Sequence, residues 1–490
     1  MSPTQNTPPQ THERPRSTTR NVLIVIALVW TVQLVSLIAA LSGIAQADVA
    51  IHFRTTEIAW FTLMTLLTGT FFLPFAVKAA ALFGKKRVLL VATGLGFVGD
   101  LVAAVATDYR TLLIGRGIAG IYAATAPLAY AITRDVFPRR WVGLASGVLA
   151  GGVGLVAFGG PFLSGWLLDD YGFRGVLWFM AASTAASFVL VAAFVPESPI
   201  RLAGGRMDWI GGLLLGGGIT TIVYAVGQGS HWGWSSGKFV TYAAGALIAL
   251  VAFVLVERRV AEPLFPPAMT RRRPVWTVLL ATSVAAGSLS AVGVVIQLLV
   301  LMPNIPTISE GLGWSGTRNA VVTSPISAMI ILAAVGTGLL ARRVDARILL
   351  GTGSALTVLG YGIGTHLHHN AAQILEMGLI AGLGTGIVVA VVPIMIIEVV
   401  SPEEQALANG AQTLGQGVAQ IVVSQLAFVV MAQHGKILKG TQFYLDTGFT
   451  NGLWLVVGCC ALGAILVFLI PRSKRLDEAP VGQAAASLIS

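Results

Sequence analysis

Two charged side chains stand inside apolar runs where charge is costly. Arg116 lies near the start of one run, and Asp100 lies inside the run before it. A charge so placed marks a candidate functional site. Arg116 reads as a buried cation that holds a carboxylate or backbone carbonyls and changes partner when a proton or ligand arrives. It also reads as a structural pin between helices. Asp100 sits about 10 Å from the end of its run at the helical rise, a candidate proton carrier. The plainer alternative is a carboxylate facing a watery vestibule or pairing with a hydroxyl.

Uncharged polar residues form a second pattern. Gln412, Gln416, Gln420 and Ser424 recur every four residues, with Asn409 one turn earlier. That spacing keeps them on one slowly drifting helix face. A polar stripe in a bilayer faces protein or water rather than lipid. It reads equally as a cavity wall or as interhelical hydrogen bonding. Gln297 joins it as a candidate lining residue, with Trp30, Gln33, Tyr122 and Tyr130 from earlier in the chain. Amide and aromatic groups suit a bulky amphipathic ligand, although each aromatic alone also reads as packing.

Other constellations are weaker. Gly151, Gly152, Gly154, Gly159, Gly160 and Pro161 describe a helix that packs closely and bends. His366, His368 and His369 cluster between two runs with no acid or cysteine beside them in sequence. They read as solvated loop residues, and no metal site is expected. Gly115-x-Gly117-x-x-Gly120 is formally a dinucleotide fingerprint, but no strand precedes it. HExxH, phosphate-loop and Asn-x-Ser/Thr motifs are absent from the sequence. Cys459 and Cys460 are neighbours on one run and point apart, so no disulfide is expected between them. Neither catalytic residues nor a cofactor are expected.

The elements that carry these residues follow from composition. The chain has 490 residues, 55% hydrophobic and only 11% charged, with a mean hydropathy of +0.81. Soluble chains carry about 25% charged residues. Apolar runs about 20 residues long indicate a polytopic, all-α membrane protein. Fourteen runs fall near 22–44, 57–80, 87–107, 110–133, 141–166, 174–196, 207–227, 238–257, 275–301, 319–340, 348–366, 372–398, 408–432 and 450–471.

With both termini cytoplasmic, 23 of the 31 Lys and Arg lie inside. Seven lie outside (Arg54, Arg110, Arg174, Lys238, Arg318, Lys436 and Lys439), and Arg116 is in the membrane. The excess fits the positive-inside rule. It explains the net charge of +10 better than nucleic-acid binding does. The first run is too long for a typical cleaved signal peptide and reads as the first span.

Arg87-Val-Leu-Leu and Arg347-Ile-Leu-Leu open spans three and eleven, 260 residues apart. That weak repeat divides the chain. Residues 1–21 form a disordered cytoplasmic tail and 22–200 a six-helix half. Residues 201–274 hold two inserted helices and a linker, 275–471 a second six-helix half, and 472–490 a cytoplasmic tail. Such repeats place a ligand between the halves near mid-membrane.

Several stretches resemble the 14-span drug:proton antiporters of the major facilitator superfamily, across nearly the full length. Val77 to Arg87 (VKAAALFGKKR) is similar to that superfamily's basic inter-span motif. Gly115–Gly120 is similar to its span-four arginine motif, and Gly152–Gly165 to its span-five antiporter motif. The most specific match runs through Met207-Asp208-Trp209-Ile-Gly211, Gln228 to Trp234, Glu257-Arg258-Arg259 and Glu262-Pro263-Leu264. The sequence departs from the pattern at Gln33, Val77, Ala81, Arg342 and Gln412.

The resemblance implies a major facilitator fold of 6+2+6 helices in a bacterial cytoplasmic membrane, functional as a monomer. Its activity would be secondary active export of amphipathic drugs or metabolites by alternating access, coupled to protons. Arg116, Asp100, Lys85, Lys86, Arg87, Gly159, Gly160 and Pro161 would be the coupling and gating residues. An uncoupled facilitator or lipid flippase of the same fold is the alternative, and a polytopic transferase a distant third.

Overall fold

A polypeptide in a bilayer must satisfy its backbone internally, and helices do so within one segment. The computed structural model describes residues 18–137, 139–198, 208–260, 267–341, 343–401 and 404–471. Residues 1–17, the whole C-terminal tail and Arg342 lie outside these, as do Met207 and Glu262-Pro263-Leu264.

The first six spans occupy α1 (Thr18–Phe53), α2 (Ala59–Phe83), α3 (Lys85–Val105), α4 (Tyr109–Ala119), α5 (Thr125–Val136) and α6 (Arg139–Phe194). Then come α7 (Trp209–Trp232), α8 (Gly237–Glu257) and the short α9 (Pro267–Thr270). The last spans are α10 (Arg273–Leu301), α11 (Gly316–Leu340), α12 (Ala346–Gly364), α13 (Ala371–Val399), α14 (Gln405–Gln433) and α15 (Asp446–Leu466). Side-chain caps fix several starts. Asp108, Asp208, Ser236, Ser315, Asp345 and Asn370 each accept a hydrogen bond from a backbone N–H of the first turn, the usual remedy for orphan donors.

Among the described residues, thirteen helical stretches are long and apolar enough to cross a membrane. One of them lies in the 56-residue α6, which would be about 84 Å long if straight. Gly172 interrupts it at φ 65°, ψ −175°. The arms 139–171 and 173–194 correspond to the fifth and sixth runs of the sequence.

Two elements differ from expectation. The first helix continues to Phe53 rather than ending near 44, because Ala45, Ala47, Val49 and Ala50 are buried and extend its packing face. The fourth span is not one helix. A 3-10 segment, Gly120–Ala124, separates α4 from α5. Pro127 follows at once and removes a backbone donor.

The described chain begins and ends at one end of the bundle, called here the near end. At the far end lie two small hairpins. In one, β1 (Asn304–Ile305) pairs with β2 (Ser309–Glu310). In the other, β3 (Gly435–Leu438) pairs with β4 (Thr441–Tyr444). All four residues of β4 are buried. Gln442 N–H donates to Thr55 O, and the Thr441 hydroxyl to Ala50 O, so this hairpin clasps the end of α1.

The apolar core is shared unevenly. At the far end one cluster joins the two helix sets. It runs from Leu34, Leu41, Phe61 and Met180 through Val295, Leu299 and Trp314 to Phe428 and Phe449. At the near end there are two clusters. One belongs to α1–α6 and includes Ile24, Leu28, Leu73, Leu128 and Val191. The other belongs to α9–α15 and includes Val278, Leu350, Val391 and Val467.

The inter-set hydrogen bonds among the described residues are also at the far end. Both carboxylate oxygens of Asp169 accept the backbone N–H groups of Gly316 and Thr317, at 2.7 and 2.8 Å. Beside them Gly165 meets Gly316 so closely that a Cβ on Gly165 would lie 2.5 Å from the Gly316 carbonyl carbon.

Gly165→Val should therefore wedge the far end open. Spin labels at Asp170 and Arg318, in a chain lacking Cys459 and Cys460, should report a longer separation than without the substitution. An unchanged distance distribution would show that this crossing does not hold the halves together.

Candidate functional site

The polar centre of the first helix set is built by two glycines. Gly99 precedes Asp100 on α3, and Gly115 precedes Arg116 on α4. A Cβ on Gly115 would lie 2.5 Å from Ala103 N and 2.6 Å from Gly99 O. With no Cβ on either residue the two backbones touch, and the next residue on each helix is carried to its partner. Arg116 Nη1 stands 3.5 Å from Asp100 Oδ1, with both side chains almost fully buried.

Neutral groups complete the shell. Arg116 Nη2 donates to Ser42 Oγ on α1 at 2.6 Å, and Nη1 approaches Met180 Sδ at 3.4 Å. The Phe61 ring faces the guanidinium at 5.2 Å, within cation–π range. Thr184 on the second arm of α6 donates its hydroxyl to Asp100 Oδ2 at 2.7 Å. The pair thus ties α3 and α4 to α1, α2 and α6. Its satisfaction is incomplete: Asp100 Oδ1, Arg116 Nε and the Tyr122 hydroxyl have no hydrogen-bond partner among the described residues.

The basic loop is anchored at the near end. Lys85 forms an ion pair with Asp135 at the end of α5, and Ser198 also donates to Asp135. Lys86 N–H donates to Glu197 Oε1 at 3.0 Å, and Lys86 Nζ to Ala192 O at 3.0 Å. Gly84, at φ 109°, lets the chain turn against the Glu197 carboxylate. Arg87 is exposed. The acids Asp135 and Glu197 were not among the expected site residues. Their signal was present in the sequence as lone carboxylates in basic near-end segments.

The expected lining residues divide. Gln297 lies where the helix sets meet: its Oε1 accepts from Asn319 Nδ2 at 3.0 Å, and its side chain passes 3.7 Å from the Cβ position of Gly43 on α1. Gln412 is buried, donates to Gln416 Oε1 at 3.2 Å, and accepts from Ser283 through its carbonyl at 3.4 Å. Gln416 and Gln420 run past Gly287 of α10. Bonding between and within helices is thus shown at Gln412, whereas Gln416 and Gln420 meet Gly287 through their backbones. Asn409 is exposed at the near end, and Ser424 is fully buried.

The first helix set corrects several expectations. Tyr122 is not a wall residue: the 3-10 segment turns it into the core behind Asp100, only 2% exposed and against Gly96. Trp30 donates its indole N–H to Ser183 O on the second arm of α6 at 3.0 Å. Gln33 donates to Leu149 O on the first arm at 2.9 Å. Trp30 and Gln33 therefore face different helices. Tyr130 packs against the near-end cluster of its own set. Ser42, not Gln33, is the residue of the first span that meets Arg116.

The glycine-proline segment packs closely at Gly152, where a Cβ would lie 2.6 Å from Gln33 Nε2. Helical dihedrals continue through Gly159, Gly160 and Pro161, and the break comes at Gly172. Gly160 approaches Ala40 of α1, whereas Gly159 has open space around it. His368 corrects the reading of the loop histidines. It is buried and bonded to Asp446, an acid distant in sequence.

Arg116→Ala strands Asp100 as a buried unpaired charge, a loss of about 3–5 kcal/mol by comparison with other broken buried pairs. Adding Asp100→Asn removes the stranded charge and should restore most of that loss. Thermal unfolding of the purified variants reads both steps. Equal stability of Arg116→Ala and the unsubstituted protein would mean the pair contributes nothing.

With this geometry in view, the relatives are informative. The chain matches the family model described as Major Facilitator Superfamily over residues 22–207, 205–422 and 287–490. It is 27% identical over 441 residues to an MFS-type transporter of Mycobacterium tuberculosis, covering 88% of this chain and 60% of that relative. The chain thus spans less than two thirds of that relative's length. It is 30% identical over 429 residues to the puromycin resistance protein pur8 of Streptomyces alboniger, covering 82% of this chain and 81% of that one. Among solved structures, the POT family transporter PepTSo aligns over 93% of this chain and 100% of its own, with a TM-score of 0.64 and 14% identity. That level of identity speaks for the fold alone. On the span of the family match, the chain is a member of the Major Facilitator Superfamily.

Proposed function

We propose that this protein is a secondary active exporter of amphipathic small molecules. The observation that carries the reading is the uneven core: one cluster joins the helix sets at the far end, and two separate clusters serve them at the near end. Two bodies that share core at one end and keep separate cores at the other suit alternating access. With both termini in the cytoplasm of a bacterial cell, the far end is the outside. The described state is then closed outward and ready to load from within. The resistance named for the Streptomyces alboniger relative supports a drug-like cargo and export as its direction. The two inserted helices, Asp208–Glu257, support the 14-span branch. Asp208 caps α7, Trp209 stacks on Phe75 at 5.6 Å, and Phe71 and Phe75 fill the room left by Gly216 and Gly212.

Proton coupling is assigned to Asp100 and Arg116. The pair lies in the far-end layer of its half, beside Ala103, Leu112, Ala119 and Met180 of the shared core. A proton on Asp100 cancels the charge that holds Arg116. The guanidinium then leans on Ser42 and on any acceptor that the opening helices present, and the far-end packing loosens. Cargo enters between the helix sets, where Gln297 and Asn319 offer amide groups and no fixed charge. Lys85–Asp135 and Lys86–Glu197 keep the near ends of α3, α5 and α6 moving as one body.

A second reading rests on Gln33 and Gln412, neutral residues where the resembling family carries charge. They favour an uncoupled facilitator or lipid flippase. Flux in sealed vesicles separates the two. Export of a puromycin-like amphipathic cation should collapse when the pH gradient and membrane potential are dissipated. Asp100→Asn should retain exchange of labelled for unlabelled cargo while losing uphill transport. Transport indifferent to both gradients would leave only the uncoupled reading.

A further inference from the structure

The loop histidines and Asp446 form a cluster that the transport reading does not use. His368 and His369 lie between α12 and α13, and Asp446 is the first residue of α15. Folding brings them together across 77 and 78 positions. Asp446 Oδ1 lies 2.8 Å from His368 Nε2 and 2.9 Å from His369 Nε2. The two imidazole rings stack with centroids 4.6 Å apart and planes 18° apart. One ligand atom from each of the three residues falls within 4.8 Å of the others.

The hydrogen bonding around His368 decides what this cluster wants. Its Nδ1 is 2.8 Å from Gly364 O, and its Nε2 faces the carboxylate. Both neighbours are acceptors, and a neutral imidazole has one N–H. With that proton on Nδ1, donated to the carbonyl, the Nε2 lone pair points at a carboxylate oxygen. Something positive must lie between them, either a second proton or a metal ion. An imidazole whose Nδ1–H is held by a backbone carbonyl is the usual outer support of a histidine metal ligand. His368 is buried, Asp446 is half-buried and His369 is exposed. The ligand atoms therefore open toward the far-end surface, where an ion arrives without crossing the apolar core. Glu310 adds a further carboxylate, accepting the Asp446 N–H through Oε2 at 2.5 Å.

We propose that His368, His369 and Asp446 bind one divalent metal ion of the zinc class at the far-end rim. Two imidazoles and one carboxylate suit Zn²⁺, whereas an all-oxygen set would suit Mg²⁺ or Ca²⁺. Water completes the coordination. Ligand atoms now 2.8–2.9 Å apart separate to about 3.3 Å around a tetrahedral ion at metal–ligand distances of about 2.0–2.1 Å. A rotation of the half-buried Asp446 carboxylate lengthens both contacts at once, and the exposed His369 ring turns to follow. The ion clamps the α12–α13 loop to the start of α15, and through Asp446 to the β1–β2 hairpin. It stiffens the rim of the second helix set.

The test uses the full chain in lipid nanodiscs, purified without a histidine tag. Titration calorimetry with Zn²⁺ should give one saturable site per chain, and Zn²⁺ but not Mg²⁺ should raise the thermal midpoint. Bound Co²⁺ should show the intense visible bands of low coordination number. His369→Gln and Asp446→Asn should each weaken Zn²⁺ binding by more than about tenfold, the loss that removing even an outer support brings. His366→Ala should leave it unchanged, since His366 packs on Trp454 away from the cluster. A folded wild-type chain without saturable Zn²⁺ binding overturns the proposal. So does binding that persists in the His369→Gln/Asp446→Asn double variant.

Discussion

Among the described residues the helix sets of this protein share apolar core at the far end, and most of the structure follows from that constraint. Interior packing is dense enough that a shared cluster behaves as one solid. The far end is therefore a joint, built from Val295, Leu299 and Trp314 of one set against Leu41 and Phe61 of the other. The Gly165–Gly316 crossing and the Asp169 cap on α11 add direction to it. At the near end each set keeps its own core, so the sets can part there without exposing either. The β3–β4 hairpin and the overlong α1 belong to the same joint, because their contacts lie beyond the bilayer-length part of the helices.

The Asp100–Arg116 pair is set into the same layer. Its position gives a charge change there a route to the joint. A fully satisfied network would hold still. This one has a carboxylate oxygen at 3.5 Å from its cation and a guanidinium nitrogen without an acceptor. The surrounding hydroxyls, Ser42 and Thr184, make short charge-assisted hydrogen bonds that hold each charge in place. The near-end contacts are of a different kind: Lys85 pairs with Asp135, and the Lys86 backbone N–H donates to Glu197, so both tie helix ends within one helix set.

The cluster of His368, His369 and Asp446 shows how a local reading of sequence misleads. A search for an acid beside His366, His368 and His369 finds none nearby in the chain. The acid that matters begins another helix. Burial is equally hidden: His368 looks like a loop residue, yet the turn after Gly364 folds it under the rim.

The sequence by itself determined the class of the protein. Helix-length apolar runs and scarce charge require a polytopic helical membrane protein, because a helix satisfies its backbone within one continuous apolar run, whereas a barrel strand is short and alternates. The seven basic residues assigned to the opposite side all fall at the far end, since each loop inherits its side from the number of crossings before it. Arg116 and Asp100 stood out because charge is rare in such runs. Their pairing was decided by tertiary structure, through the Gly99–Gly115 contact that only packed helices reveal. Tertiary structure also decided that Tyr122 is core, that Trp30 and Gln33 face different helices, and that the helical dihedrals of α6 break at Gly172. The physical reason is common to all of these. Composition and period state that a residue is inside the bilayer and on which face, but the neighbour opposite that face comes from another part of the chain.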